Sequence, residues 1–303
     1  MVVPIERGLT PLMSQKKGSL DCLEGVTEET VEWRMLNMDS ELVTANLSRT
    51  IGPGIHSTLN PHWNYNAKRG DGVVPLNNIL RFETFGIHCP LGTKLRQETR
   101  LRLVATRDED GRLKRGHLVM NCELFNKNDN SQRPVGRSEF WMALTRPLAP
   151  RGQHRPTDVP EAIRFLKEHE PTESDLVSRD IESYCCGTPI DGRAFHDTIP
   201  LVFHMDRSDI YRHINTAVYM NQAQDYLALL YHKVGGDAGR LRFREIMIYF
   251  RKPFVPGQAA EVELDFVEYA DRFHGAVRLY HFDGEGRRSE RISVAMETRG
   301  PLH

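Results

Sequence analysis

The sequence of 303 residues lacks the features that define several large classes of protein. Its apolar runs fall short of the ~20 residues that a helix needs to cross a bilayer, and no basic start followed by an apolar stretch marks a secretory signal. Its charges nearly cancel, with 40 Lys and Arg against 41 Asp and Glu, so charge does not favour nucleic acid or a membrane surface as a partner. We expect a cytoplasmic protein that binds neither nucleic acid nor a membrane.

Cysteine is scarce, and the familiar cofactor motifs are missing. The five cysteines are an odd number without metal-site spacing, and two of them, Cys185 and Cys186, are adjacent. Reduced structural thiols fit a cytoplasmic protein. The sequence has no glycine-rich phosphate loop, no Gly-x-Ser-x-Gly and no His-Glu-x-x-His. It therefore predicts neither a metal nor a cofactor.

One short stretch concentrates residues that can carry chemistry. Asp209 is followed by His213 and Asn215, and then by residues 216–234, which contain no proline or glycine. Thr216 can cap the start of this run, and two glycines follow its end. Apolar residues recur at helical spacing, which favours core packing of one helix face: Tyr219, Ala223, Leu227, Leu230 and Val234. The pattern predicts a helix of about five turns.

Strands are predicted after this helix. Residues 244–250 are rich in Ile, Met, Tyr and Phe, and residues 261–266 alternate strictly between polar and apolar. Two further alternating runs, 277–281 and 292–296, flank a hairpin turn at 283–286. A long helix followed by an antiparallel meander can fold so that the sheet wraps and buries the helix.

The stretch from Asp209 to Tyr219 resembles the signature of hotdog-fold thioesterases, roughly Asp-x-x-x-His-Val-Asn-Asn-x-x-Tyr. The similar families are the 4-hydroxybenzoyl-CoA thioesterase-like and acyl-ACP thioesterase families, and residues 250–257 resemble the second strand and turn of the small members. The resemblance implies hydrolysis of an acyl thioester carried by coenzyme A or by an acyl carrier protein. It also implies a hotdog fold, in which an antiparallel sheet wraps one helix.

Thioester hydrolysis assigns roles to these residues. Asp209 is the candidate base or nucleophile, and the first N–H groups of the helix, including that of Thr216, are candidate oxyanion donors. His213 and Asn215 are candidates to orient the carbonyl or the water, and Tyr219 is a weaker candidate for substrate binding. The apolar helix face and the interior of the sheet would hold the acyl chain.

Departures from the signature leave alternatives open. Acyl-ACP thioesterases carry Asn where this chain has Tyr211, and a downstream Glu near the position of Pro253, so the match is closer to the Asp-only pattern of small bacterial acyl-CoA thioesterases. One alternative is another double-hotdog enzyme of polyketide or fatty-acid metabolism, a dehydratase, hydratase or acyltransferase-decarboxylase. Another is a non-catalytic acyl-binding module, because fold does not determine function.

The first half reads as a diverged copy of the second. Residues 94–103 alternate like residues 261–267, and further apolar alternation follows to residue 144. His62 and Asn64 echo His213 and Asn215, which makes them candidate substrate-binding residues, but Thr58 stands where Asp209 stands. The glycine-rich segment after Asn64 cannot hold a long helix, so either the helix here is short or residues 74–85 form it.

These patterns together predict an α+β double hotdog, with two antiparallel sheets each wrapped around a central helix. The predicted parts are an N-terminal tail (1–39), a first hotdog domain (40–147), a connector with a short helix at about 158–169 (148–194) and a second hotdog domain (195–303). Only the second domain carries the carboxylate, so one active site per chain is expected. A homodimer of such chains is compatible with the pattern.

Overall fold

The computed structural model of this chain describes residues 20–65, 71–129, 131–150, 152–172, 193–205, 213–268 and 273–298. Two α-helices occur in these ranges, α1 (Leu47–Leu59) and α2 (Thr216–Lys233). Single 3-10 turns lie at Trp33–Met35, Thr44–Asn46, Glu161–Ile163 and Ala238–Arg240. No helix in the described ranges is both long enough and apolar enough to cross a bilayer.

Eleven strands form the rest of the regular structure in the described ranges. In chain order they are β1 (Leu23–Thr30), β2 (Val74–Thr84), β3 (Lys94–Arg107), β4 (Leu113–Asn126), β5 (Pro134–Thr145), β6 (Glu168–His169), β7 (Arg193–Val202), β8 (Phe243–Phe250), β9 (Ala259–Glu268), β10 (Phe273–Phe282) and β11 (Arg288–Thr298). The second-half prediction is confirmed element by element: the long helix and all four strands after it lie where the patterns placed them.

One continuous sheet holds all the strands. Its order is β1-β3-β4-β5-β2-β8-β11-β10-β9-β7, with β6 added beside β3. The two halves of this order mirror one another, since β1, α1 and β2 to β5 correspond to β7, α2 and β8 to β11. The prediction of two separate sheets is wrong, because β2 and β8 pair antiparallel from Ile79↔Tyr249 to Glu83↔Glu245. This pairing satisfies edge N–H and C=O groups that two separate sheets would leave open.

Both helices cover the same face of the sheet, which is the inner face. Leu227 of α2 packs so closely on Gly275 of β10 that a Cβ there would collide with it. The row of residues that faces the helices is apolar across the junction: Met120, Phe140, Leu80, Ile248 and Val294. The outer face carries a smaller apolar cluster centred on Trp141 and Met247.

The helix of the first half lies in neither of the predicted places. Residues 74–84 form β2, and α1 precedes His62 instead of following Asn64. The sequence pattern did not predict α1, because Gly52, Pro53 and Gly54 lie inside it and have low helix propensity. Gly54 has a tertiary reason, since a Cβ at this position would collide with the side chain of Gln97 on β3.

Two other predicted boundaries are corrected. Residues 23–30 fall in the predicted tail but form β1, which pairs with β3 along its whole length. The predicted connector helix is a single 3-10 turn at Glu161–Ile163, and Glu168–His169 runs parallel to β3. Arg107 holds this segment through hydrogen bonds to Asp158 at 3.0 Å and to Glu168 at 2.8 Å. Cys185 and Cys186 lie outside the described residues.

Candidate active site at the start of the second helix

Asn215 begins α2 as its N-cap. Its backbone is extended, with φ −64° and ψ 141°, and its side-chain oxygen accepts a hydrogen bond from Ala217 N at 2.9 Å. The Asn215 carbonyl accepts a second bond, from Val218 N at 3.0 Å. These bonds satisfy two of the N–H groups that a helix start leaves open. Thr216, the predicted cap, is instead the first residue of the helix.

Ile214 anchors the residues on either side of it. Its side chain is buried, and its N–H donates to the carbonyl of Phe254 at 3.0 Å. His213 is half-buried and Asn215 is exposed. His213 and Asn215 therefore flank the buried Ile214 directly before the first turn of α2. Their joint role in a site stays a prediction.

Tyr219 lies one turn further along α2, in the core. It is 1% exposed, and its hydroxyl accepts a hydrogen bond from Phe254 N at 3.1 Å. Its ring packs edge-on against Phe203 and Phe250, with centroids 5.4 and 5.9 Å away. This placement matches the core packing expected of the apolar helix face. Contact of Tyr219 with a substrate stays a prediction.

The candidate carboxylate is the remaining part of the motif. Asp209 belongs to residues 206–212, which lie outside the described residues, as does Tyr211. The described part of the motif therefore consists of His213, Asn215, Thr216 and Tyr219.

His62 and Asn64 do not hold positions equivalent to His213 and Asn215. They follow α1, and both are exposed on either side of the buried Trp63. The His62 ring lies 5.3 Å from the ring of Phe165 in the connector. No described hydrogen bond or ring contact joins His62 or Asn64 to the start of α2. The sequence echo is therefore a coincidence of spacing, and their role in substrate binding stays a prediction.

The true counterpart in the first half is Thr44-Ala45-Asn46, directly before α1. Asn46 is the N-cap residue, but its side chain donates to the carbonyl of Arg34 at 2.7 Å instead of capping the helix. The Thr44 hydroxyl donates to the carbonyl of Phe243 in β8 at 2.5 Å. In the first half, the residues at the helix start therefore bond to the other half of the chain, through Thr44 and Phe243. Each helix is preceded by an Asn two residues after a Thr or a His, as in Thr44-Ala45-Asn46 and His213-Ile214-Asn215. This shared spacing is the feature from which the correspondence could have been predicted.

Arg291 is a residue near this site that sequence reasoning missed. Its side chain is buried, its guanidinium lies 5.3 Å from the ring centre of Phe254, and Nη1 donates to the carbonyl of Pro253 at 3.3 Å. Burial lowers the pKa of Arg291, and the neighbouring Tyr219 opposes that shift. None of the described carboxylates pairs with it. A buried guanidinium thus supports the loop whose Phe254 carbonyl holds Ile214.

The two buried thiols, Cys89 and Cys122, are poorly suited to act as nucleophiles. Burial raises the pKa of Cys89 to about 11, and the charge of Glu41 adds to the shift. Burial also raises the pKa of Cys122. Because the thiolate is the reactive form, neither thiol is activated. No group of His, Cys, Asp and Glu in the described residues has the arrangement of a metal site.

Comparison of whole structures finds extensive likeness. An acyl-ACP thioesterase from Bacteroides thetaiotaomicron VPI-5482 is 13% identical, with a TM-score of 0.58 over 90% of this chain and 96% of that one. The 12:0-ACP thioesterase from Umbellularia californica is 9% identical, with a TM-score of 0.63 over 91% and 94%. A Lactobacillus plantarum protein described as an oleoyl thioesterase is 10% identical, with a TM-score of 0.62 over 92% and 96%.

No protein-family model and no curated protein matches the sequence. At these identities the structural likeness is evidence of fold alone. It agrees with the mirrored strand order and with the helix that each half of the sheet covers. The chain therefore shares the fold of these structures, and the expected hotdog fold, in which an antiparallel sheet wraps a helix in each half, is confirmed.

Proposed function

We propose that this protein hydrolyses an acyl thioester at the start of α2, with Asp209 as the catalytic carboxylate. The observation that carries the proposal is the Ile214 anchor, which fixes the backbone between His213 and Asn215 at the helix start, where His213 is half-buried and Asn215 is exposed. The sequence places Asp209 only four residues before His213. The structurally similar proteins described as thioesterases support the same general reaction.

The reaction proceeds through a tetrahedral oxyanion. The Asp209 carboxylate takes a proton from water, and the water oxygen attacks the thioester carbonyl carbon. Breaking the C–S bond releases a thiolate, which receives the proton back from Asp209. The products are a carboxylic acid and a free thiol, so the atoms and protons balance.

The hydrogen bonds that cap α2 leave few N–H groups free to bind an oxyanion. Ala217 N–H and Val218 N–H already have acceptors in Asn215. We therefore assign oxyanion binding to the Asn215 side-chain amide nitrogen and the Thr216 N–H, aided by the positive end of the helix dipole. His213 orients the carbonyl or the attacking water. An acyl chain between α2 and the inner face of the sheet, as the sequence predicts, requires side chains such as Leu227 to move, because Leu227 already packs against Gly275 there.

The test is a panel of acyl-CoA and acyl-carrier-protein thioesters with free-thiol detection, applied to Asp209→Asn. This change keeps the size of the side chain but removes its charge, so kcat should fall by about 10² or more while substrate still binds. Asp206→Asn, three residues away, is the matched control and should retain activity. Equal turnover in the Asp209→Asn protein would refute the assignment.

The same panel separates the alternatives. A dehydratase or acyltransferase would convert the acyl group or transfer it without releasing a carboxylic acid. A non-catalytic acyl-binding module would bind thioesters without releasing any thiol. A single turnover in ¹⁸O-labelled water would then distinguish whether Asp209 acts as nucleophile or as general base. A nucleophilic Asp209 carboxylate would itself incorporate ¹⁸O when water hydrolyses the covalent intermediate, whereas a general base would not.

A further inference from the structure

Both halves of the sheet contain a β-bulge at the same place. In the first half the extra residue is Val135 on β5, where the pairing register with β4 shifts. In the second half it is Arg291 on β11, where the pairing register with β10 shifts in the same way. On the other side of each bulge, the carbonyl accepts a hydrogen bond from the residue that directly follows the neighbouring strand, Phe85 N at 3.3 Å and Arg251 N at 2.8 Å. Val135 and Arg291 therefore hold equivalent positions in the mirrored strand order.

The two bulges carry different side chains. Val135 is 1% exposed and belongs to the apolar core, whereas Arg291 is 8% exposed and carries a charge. Because valine occupies the bulge of the first half, the bulge itself does not require a cation. Bulges are common next to active sites, where they direct a side chain. The arginine occurs in the half whose helix start follows the candidate catalytic motif, and the valine in the half whose helix start does not.

Arg291 lacks the opposite charge that other largely buried arginines have. Arg244 pairs with Glu41 at 2.8 Å and Arg278 with Asp265 at 2.7 Å, and these arginine side chains are 15% and 17% exposed. No described carboxylate pairs with Arg291, and its Nε has no hydrogen-bond partner. Burying a charge without a partner is costly, and apolar replacements of buried charges often stabilise a protein. Stability alone therefore does not account for the arginine.

The Arg291 guanidinium supports the loop of residues 253–258. Its Nη1 donates to the Pro253 carbonyl at 3.3 Å and to the Gln258 side-chain oxygen at 3.4 Å. The guanidinium also lies over the ring of the fully buried Phe254, 5.3 Å from its centre, and such a cation is attracted to an aromatic face. One side chain thus connects the first and last residues of the loop and supports the ring between them.

Phe254 in turn holds two residues at the start of α2. Its carbonyl accepts a hydrogen bond from Ile214 N at 3.0 Å, and its N–H donates to the Tyr219 hydroxyl at 3.1 Å. Ile214 directly precedes Asn215, the N-cap residue of α2. The contacts therefore form a continuous chain from Arg291 through Phe254 to the residue before the proposed oxyanion donors.

We propose that Arg291 is a positioning residue for the site at the start of α2, an inference that rests on the proposed thioesterase function. By fixing Pro253 and Phe254, its guanidinium determines where Asn215 and Thr216 lie relative to the thioester carbonyl. It acts through the loop and does not touch the reacting atoms. Since a group misplaced by about 1 Å can lower a rate by about 10²-fold, loss of this support should reduce turnover.

The test replaces Arg291 with methionine, which keeps a long side chain but removes the charge and the donors. In Arg291→Met, kcat should fall about tenfold or more with KM nearly unchanged, and the midpoint of urea unfolding should stay the same or rise. Arg291→Lys keeps the charge and should recover part of the lost kcat. Arg278→Met is the matched control, because Arg278 is largely buried but pairs with Asp265. This control should lower the urea midpoint and leave kcat unchanged.

Hydrogen exchange keeps this test separate from catalysis. In Arg291→Met the amides of residues 213–220 should exchange faster, while those of residues 44–48 at the start of α1 should not change. If no thioester is hydrolysed but this faster exchange is seen, the proposed function fails and the positioning role stands. Unchanged exchange at 213–220 would overturn the proposal. A lower urea midpoint with kcat unchanged would overturn it too, since that result would make Arg291 a structural residue only.

Discussion

Removing the hydroxyl of Tyr219 tests how the start of α2 is held. Tyr219→Phe keeps the ring and its aromatic contacts but deletes the acceptor of Phe254 N–H, and both residues are almost fully buried. An unpaired buried donor costs about 1–3 kcal/mol, so the free energy of unfolding should fall by that amount. Urea unfolding measures the change, and the slope with denaturant should stay the same.

The Tyr219→Phe change should also affect activity, but modestly. Phe254 holds Ile214 through its carbonyl, so a looser Phe254 should disturb His213 and Asn215 and lower kcat by less than about tenfold. Tyr280→Phe is the control, because none of the described hydrogen bonds uses the Tyr280 hydroxyl. It should alter stability by less than about 0.5 kcal/mol. Unchanged stability with a hundredfold loss of kcat would refute the reasoning and make Tyr219 a substrate-contacting residue.

Three further outcomes are expected. Asn215→Asp keeps the oxygen that caps the helix but removes the amide N–H donors, so stability to urea should be retained while kcat falls at least tenfold. Asn215→Ala should lose about 1 kcal/mol of stability as well. Full activity in both variants would exclude Asn215 from the oxyanion site. The hydrogen bond that His196 Nδ1 donates to the Asp265 carboxylate raises the pKa of His196. This pair therefore stabilises the fold below the unfolded His pKa of about 6.5 and loses that contribution as pH rises through the folded pKa. NMR titration should show the raised pKa and its fall in Asp265→Asn, and an unchanged titration would contradict the pairing. Labelling with a reactive acyl analogue should reach one equivalent per chain, because the Thr44 and Asn46 side chains are already bonded within the fold, and two equivalents would show a second working site.

The second half could be predicted from sequence because its signals are local. A run of 18 residues without glycine or proline forms α2, and strict alternation between faces marks β9. Periodicities of 3.6 and 2 report the buried face of an element directly, whatever the element packs against. The motif before α2 is local in the same sense, so His213 and Asn215 could be proposed as neighbours without a structure.

The first half and the joining of the halves depend on tertiary contacts. The Gly-Pro-Gly segment in α1 lowers helix propensity, but α1 lies so close to β3 at Gly54 that a Cβ there would displace the buried end of the Gln97 side chain. Pairing of β2 with β8 joins residues more than 160 positions apart, and no periodicity encodes such a contact. The burial of Arg291 under the Phe254 loop likewise arises from packing between distant segments.

The sequence by itself therefore determined α2 and the four strands that follow it, and it placed His213 and Asn215 at the start of that helix. Only the tertiary structure decided that Thr44-Ala45-Asn46, and not His62 and Asn64, is the first-half counterpart of that site. It also decided that Val135 and Arg291 hold equivalent positions in the two halves. The physical reason is that local patterns record which side of an element is buried, whereas sites between elements depend on which distant segments the sheet brings together.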